Sequence, residues 1–350
     1  MRHPAALTKG QAMATATLSP SPSPATSHGR SGARILVGLI LGIPAVIALM
    51  LLAFAAPALH SGPSNLPLAV SGPPPAVAQV TGMLQQRAPG TFEVTTYASA
   101  EDAAVAIGER EAIGGIAVGP TGVTIQTAAG AGAPYSALLK GMGAQLTQTD
   151  QHVTYTELAL LPSGDPAGTG LTTLGLPLIF GGMATATALV LVYRGSTRAR
   201  IGGLLAVSIV GGFVATAILA GFGALDGNVL LVSAAVAAGI AAVSATVVGL
   251  GLLLGPAGIG LGAVLMLFVS NPISGLATGP AWLPQPWGEI GQYLPIGAAG
   301  TAMRSAAYFD GAGATQAWIV LACWIVGGIL LAVGGARRGG GASQNADTAS

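Results

Sequence analysis

The sequence predicts a membrane protein: an all-α six-helix transmembrane bundle with an extracellular α/β domain inserted between helices 1 and 2. Three observations predict it. Only 7% of the 350 residues are charged while 52% are hydrophobic, against about 25% charged in an ordinary soluble domain. So few ionisable side chains cannot cover a water-facing surface of this size, which excludes a soluble enzyme. Six long apolar runs contain no Asp, Glu, Lys, Arg or His. Between the first and second runs, residues 57–172 alternate strand-like and helix-like patterns.

The runs are Ile35–Ala56, Leu174–Tyr193, Ile201–Gly221, Val229–Leu254, Ile259–Ala277 and Ala317–Gly334. Each has roughly 18–26 residues, enough for a helix to cross a hydrocarbon core about 30 Å thick. A helix also satisfies its own backbone where no water is present. After the first run, Ala56-Pro57-Ala58 has the small residues of a signal-peptidase site. The run is longer than the roughly 7–15 apolar residues of a secretory signal, so an uncleaved anchor is expected.

Charge orients the spans. Arg2, Lys9, Arg30, Arg34, Arg194, Arg198, Arg200, Arg337 and Arg338 fall on one side of a six-span path, with Asp347 as the single acid. The other side holds Arg87, Arg110, Lys140 and Arg304 and the remaining acids. Basic residues gather on the cytoplasmic side, which predicts a multi-pass plasma-membrane protein with both termini cytoplasmic. The first tail, 1–34, carries Ser19-Pro20-Ser21-Pro22-Ser23-Pro24, and the last, 337–350, is Gly- and Ser-rich. Both compositions predict disorder.

Within 57–172 the expected order is β-α-β-α-β-β-α-β. Leu66–Val70 reads as a strand and Ala76–Gln86 as a helix, with Val77, Val80 and Leu84 on one face. Phe92–Tyr97 alternates. Ser99 is an N-cap with Asp102 three residues on, opening a helix through Val105, Ile107 and Glu109. Ile113–Val118 and Val123–Thr127 flank Pro120–Gly122 as a hairpin. Tyr135–Leu146 is a helix and Val153–Leu161 a final strand, giving a small α/β domain with a mixed sheet. Its eight acids against three bases make it acidic.

The five-helix membrane domain, 174–336, holds an unusual stretch between its last two spans. In 278–316, Pro280, Pro284, Pro286 and Pro295 forbid one spanning helix. Trp282, Trp287, Tyr293 and Tyr308 suit the headgroup level. Trp287, Ile290 and Leu294 share a helical face, which fits a re-entrant or interfacial helix; a surface loop with an aromatic belt is the other reading. Arg304 lies in the same stretch. Asn271-Pro272 marks a helix stop or a bend in a permeation route.

Catalytic signatures are missing: no P-loop, no Gly-x-Ser-x-Gly elbow, no metal-ligand spacing among His3, His28, His60 and His152. The acid pairs Glu101/Asp102 and Glu109/Glu111 read as a solvated face. No enzyme, cofactor, metal or nucleic-acid partner is expected, and the lone Cys323 reads as a small apolar side chain. Spans without a titratable group disfavour a proton-coupled carrier. The Gly251/Gly255 and Gly258/Gly262 spacings, with Gly181-Gly182, Gly202-Gly203 and Gly211-Gly212, are either close-packing faces or the trace of a Gly-rich composition.

Two stretches carry a family resemblance. They are Ala104–Val118, AVAIGEREAIGGIAV, and Asn271–Gly311, NPISGLATGPAWLPQPWGEIGQYLPIGAAGTAMRSAAYFDG. With the one-plus-five span layout, the chain resembles ABC-2-type permeases and the neighbouring YhgE/Pip (phage infection protein) branch over residues 35–336. The resemblance implies an export subunit, working as a homodimer and energised by a separate P-loop ATPase subunit. Arg194, Arg198 and Arg200 are then the expected contacts for that partner or for anionic membrane lipid. A non-transporting envelope protein, whose outer domain binds a partner in secretion or phage entry, is the alternative.

Overall fold

The computed structural model describes residues 28–148 and 151–347; most of the expected 1–34 tail lies outside them. Two compact units are distinguished, 1–49 and 50–350. The helix α1 (His28–Leu59) runs from the first into the second, and the sheet and all later helices belong to the second.

A five-stranded sheet fills residues 66–157: β1 (Leu66–Ser71), β2 (Phe92–Tyr97), β3 (Gly114–Gly119), β4 (Gly122–Thr127) and β5 (Val153–Glu157). The connecting helices are α2 (Pro74–Arg87), α3 (Ala100–Gly108) and α4 (Ala133–Thr147). The element order is the one read from the sequence. Ser99 caps α3 by accepting from the Asp102 N–H at 3.0 Å, and Pro120-Thr121 joins the hairpin between the paired Gly119 and Gly122.

Spatially the strands run β2-β1-β3-β4-β5, all neighbours parallel except β3/β4. The chain moves outward from β1 to β2, then back past β1 to β3. Right-handed crossovers in opposite directions must lie on opposite faces, and they do. Leu66, Leu68 and Val70 of β1 pack with Val77 of α2 and Leu139 of α4. Ala69, facing the other way, packs with Ala103 and Ile107 of α3 and with Phe309. Buried on both faces, β1 reads as a nearly continuous apolar run, while edge strand β2 alternates. The last strand is shorter than expected: after Leu158 the chain leaves the sheet, and the Ala159 carbonyl accepts from the Gly130 N–H.

The helical region comes next: α5 (Thr169–Thr173), α6 (Gly175–Thr187, widening to π geometry over Ala188–Val192), α7 (Thr197–Gly221), α8 (Val229–Leu254), α9 (Pro256–Val264, widening over Leu265–Ser270), α10 (Trp287–Gln292), α11 (Pro295–Tyr308) and α12 (Thr315–Asp347). Among the described residues, five segments are long and apolar enough to cross a membrane: Ala33–Leu59, Thr169–Val192, Thr197–Gly221, Val229–Leu254 and Thr315–Arg338. Length and composition therefore suit a membrane protein, mostly helical and carrying one five-stranded sheet.

The span expected at Ile259–Ala277 is not among the five. Its helix covers only Pro256–Ser270, about 22 Å at 1.5 Å per residue, short of the roughly 30 Å needed. Pro272 supplies the reason, since its ring and missing N–H stop the ladder. The backbone then turns, with Ser274 N–H donating to the Asn271 carbonyl. At the C-terminal end α12 is helical to Asp347, past the residue 337 at which a disordered tail is expected.

The hub of the bundle is α8, with 78% of its span window buried against 28% for Thr169–Val192, Thr197–Gly221 and Thr315–Arg338. Its neighbours approach through glycine. A Cβ on Gly212 of α7 would meet the Ser233 carbonyl and Ala237 of α8 at 2.6 and 2.8 Å, and one on Gly182 of α6 would meet Val243 at 2.7 Å. Gly262 of α9 faces Val247, and Gly328 of α12 faces Ala245. These glycines lie at helix contacts, as close packing without a hydrophobic driving force requires. Gly181 and Gly202 face open space, so not every glycine of the sequence pattern packs. Ser208, Ser233, Ser244 and Thr246 donate to carbonyls four residues back, which satisfies them within their own helices.

Candidate functional site: a buried arginine junction

Between Ser270 and Tyr308 the chain folds into a knot of short elements. The Ile296 N–H, an unpaired donor of the first turn of α11, donates to Ser270 Oγ at 3.1 Å. Gln292 Nε2 donates to the Ser274 carbonyl at 3.1 Å while its Oε1 accepts from Thr301 Oγ1 at 2.6 Å. Trp324 Nε1 of α12 donates to the Tyr293 carbonyl at 2.9 Å. Together these bonds fix α10 and α11 against the chain that turns back at Pro272.

Of the residues singled out in this stretch, Asn271 and Pro272 form the helix stop. Trp287 and Tyr293 are about half exposed, with Ile290 beside them, so an outward aromatic rim exists. Trp282 instead packs edge-on against Tyr135 of α4, ring centroids 5.8 Å apart. Arg304 departs furthest from an interfacial role: it is 4% exposed. All but two of the residues of α11 are buried, and the small side chains Ala298, Ala299, Ala302 and Ala306 let the bundle close over it.

Arg304 Nη2 donates to the Leu276 carbonyl at 2.8 Å. A second guanidinium approaches from the sheet layer. Arg110 follows the end of α3 at φ +66°, a left-handed conformation that a side-chain-bearing residue adopts at a cost of about 1–2 kcal/mol. That geometry sends its Nη1 to the Thr301 carbonyl of α11 at 3.1 Å and lays its Cζ 5.4 Å from the Phe309 ring centroid. Burial, with the positive charge of Arg304 second, lowers the Arg110 pKa to about 10. Burial raises the Tyr135 phenol to about 12.

Among the described residues the one ion pair is Lys140–Glu157 at 3.5 Å, half exposed on its lysine side, so neither arginine has a carboxylate partner. The nearby acids are engaged elsewhere. Asp165 accepts from the Thr169 and Gly170 N–H groups at 2.9 and 2.6 Å and from Thr169 Oγ1 at 3.0 Å. Burial pushes its pKa up, but these donors outweigh burial and leave it below the ordinary value. Glu157 accepts from the Ala129 N–H at 2.6 Å and from Thr127 Oγ1 at 2.9 Å. The Tyr308 hydroxyl is buried without a hydrogen-bond partner, and that of Tyr135 lies beside the Ala281 and Trp282 backbone.

The three arginines between α6 and α7 separate into two kinds. Arg200 Nε and Nη2 donate to the Leu189 and Tyr193 carbonyls, both at 2.9 Å, closing the widened end of α6. Arg194 and Arg198 are exposed. Ser196 caps α7 by accepting from the Ala199 N–H. No group of three or more His, Cys, Asp or Glu side chains able to hold a metal occurs among the described residues. Cys323 is exposed on α12.

Arg110, Tyr135 and Tyr308 were not distinguished as a site by sequence reasoning; the one local signal is an arginine directly after a helix end, where glycine is usual. No family model, curated protein or solved structure matches this chain.

Proposed function

We propose that this protein is the membrane-embedded, permease-like subunit of an ABC-2-type export system, energised by a separate P-loop ATPase and working as a homodimer in the plasma membrane. The observation that carries the reading is the helix hairpin broken at Asn271-Pro272, with α11 folded back against the central helix α8 and α10 packed on α11 and the 273–283 turn. A short, interrupted element seated in a glycine-packed bundle is suited to repacking, because each glycine contact is shallow and non-directional. In this reading residues 57–172 form the outer domain, and both termini and Arg194 and Arg198 face the cytoplasm. The two exposed arginines then offer the partner, or anionic lipid, a contact free of any structural duty.

The resemblance to the YhgE/Pip branch supports a second reading: an envelope protein without transport, whose acidic outer domain binds a partner. The shortness of the Tyr193–Arg200 connection favours it, since only two arginines there are free for an ATPase. Affinity purification of the full chain from its native membrane tests the choice. A co-purifying P-loop ATPase whose hydrolysis rate changes on adding the full chain supports the permease. Recovery of the chain without any ATPase, while an outer-domain ligand is captured, supports the second reading.

A further inference from the structure

Behind Arg304 and Tyr308 lies a cavity of about 30 Å³, walled by Gly130 and Gly132 before α4 and by Gly168 and Thr172 around α5. Besides those two side chains, its walls include the backbone of small residues and the Thr172 hydroxyl. The Thr172 hydroxyl is taken by the Thr169 carbonyl, and the Gly130 N–H by Ala159. What remains unfilled is the donor capacity of a guanidinium that is 4% exposed and bonds one carbonyl, together with a buried phenol lacking a partner.

Charge decides what fits there. Arginine stays protonated in proteins, and Arg110 brings a second positive charge into the same junction. Asp165, whose charge reaches the Tyr308 hydroxyl, and Glu157 are held by backbone N–H groups, by threonine hydroxyls and, for Glu157, by Lys140. An uncompensated buried charge is among the costliest features a fold can retain. A water would complete hydrogen bonds but leave that charge unbalanced. The volume admits one or two water-sized particles, about 10–15 Å³ being enough for one, which suits a single small anion.

We propose that this cavity binds a single halide ion, chloride under ordinary conditions, held by the free N–H groups of Arg304 and the hydroxyl of Tyr308. The ion offsets one of the two guanidinium charges and so fastens α11 to the 129–133 turn of the sheet layer. The site stands independently of the transport reading.

Thermal unfolding of the full chain in detergent or nanodiscs tests it, in sodium chloride, sodium bromide and sodium gluconate at one ionic strength. Chloride and bromide are expected to raise the melting temperature by about 2–4 °C over gluconate, saturably, by mass action on the folded state. Tyr308→Phe keeps the ring against Gly130 but loses the donor, and is expected to raise the half-saturating halide concentration about tenfold. Arg304→Met keeps the stem and abolishes the halide effect; should it fail to fold, Tyr308→Phe decides alone. Equal melting in chloride and gluconate, or a halide effect that Tyr308→Phe leaves unchanged, overturns the proposal.

Discussion

Around α8 the helices approach through glycine and alanine and fill the space between with Leu, Ile, Val and Met. At the junction of sheet and α11, one buried guanidinium and one partly buried guanidinium lie among carbonyls and aromatic rings. The two regions answer different solvents. In lipid, apolar surface gains nothing by hiding from an apolar neighbour, so stability must come from close approach and dispersion. Where an α/β layer meets a membrane-type bundle, water-driven burial resumes. There Arg110 reaches the Thr301 carbonyl across the boundary with a directional, charge-assisted bond, while Arg304 ties α11 to the Leu276 carbonyl of the neighbouring turn. Packing thus makes the bundle, and directed hydrogen bonding registers the layer upon it.

The largest test of this contrast is steric. Gly212→Leu forces side-chain atoms into the Ser233 carbonyl and Ala237 backbone of α8 and is expected to cost about 3 kcal/mol or to prevent folding. Gly181→Ala, with open space at its Cβ, is expected to be neutral or to stabilise by up to about 1 kcal/mol. Melting of both variants, followed by tryptophan fluorescence, breaks the packing contrast if they behave alike. At the junction, Arg110→Ala removes the bond to the Thr301 carbonyl and the Phe309 contact, for an expected loss of about 2 kcal/mol. Hydrogen exchange should then speed up in α11 and leave α7 unchanged.

Acid sharpens the comparison further. Asp165 has a depressed pKa in the fold, so its stabilisation is present above the unfolded value of 3.8 and is lost as pH falls through the lower folded value. Asp165→Asn is expected to cost about 1–2 kcal/mol at pH 7 and to flatten the stability profile below pH 4, read by pH-dependent denaturation. The smallest effects fall between α6 and α7. Arg200→Ala is expected to lose about 1 kcal/mol with its two carbonyl bonds, whereas Arg198→Ala should leave the melting temperature unchanged and weaken pelleting with anionic vesicles.

The sheet was legible because its signals are local: the alternation of Phe92–Tyr97, the Ser99 cap, the two-residue hairpin. The end of the fifth apolar run was misjudged because a hydropathy window averages over Asn271-Pro272, and apolar residues beyond the proline read as more of the same helix. Arg304 sits in GTAMRSAAY, where small residues mark a buried helix but nothing local reveals that its charge is enclosed as well. Likewise Arg110 looks like one more surface charge beside Glu109 and Glu111, because the left-handed turn that aims it at α11 depends on contacts some 190 residues away. Partnership across that distance leaves no periodic trace in a single chain.

Everything proposed about direction and partners depends on which side of the membrane the sheet occupies. With Cys323 replaced by alanine, single cysteines at the exposed positions of Glu101→Cys and Arg198→Cys can be probed in intact cells with a membrane-impermeant maleimide. Glu101→Cys is expected to be labelled, and Arg198→Cys to react only after the membrane is permeabilised. Labelling of Arg198→Cys in intact cells, with Glu101→Cys protected, contradicts the outward-facing sheet.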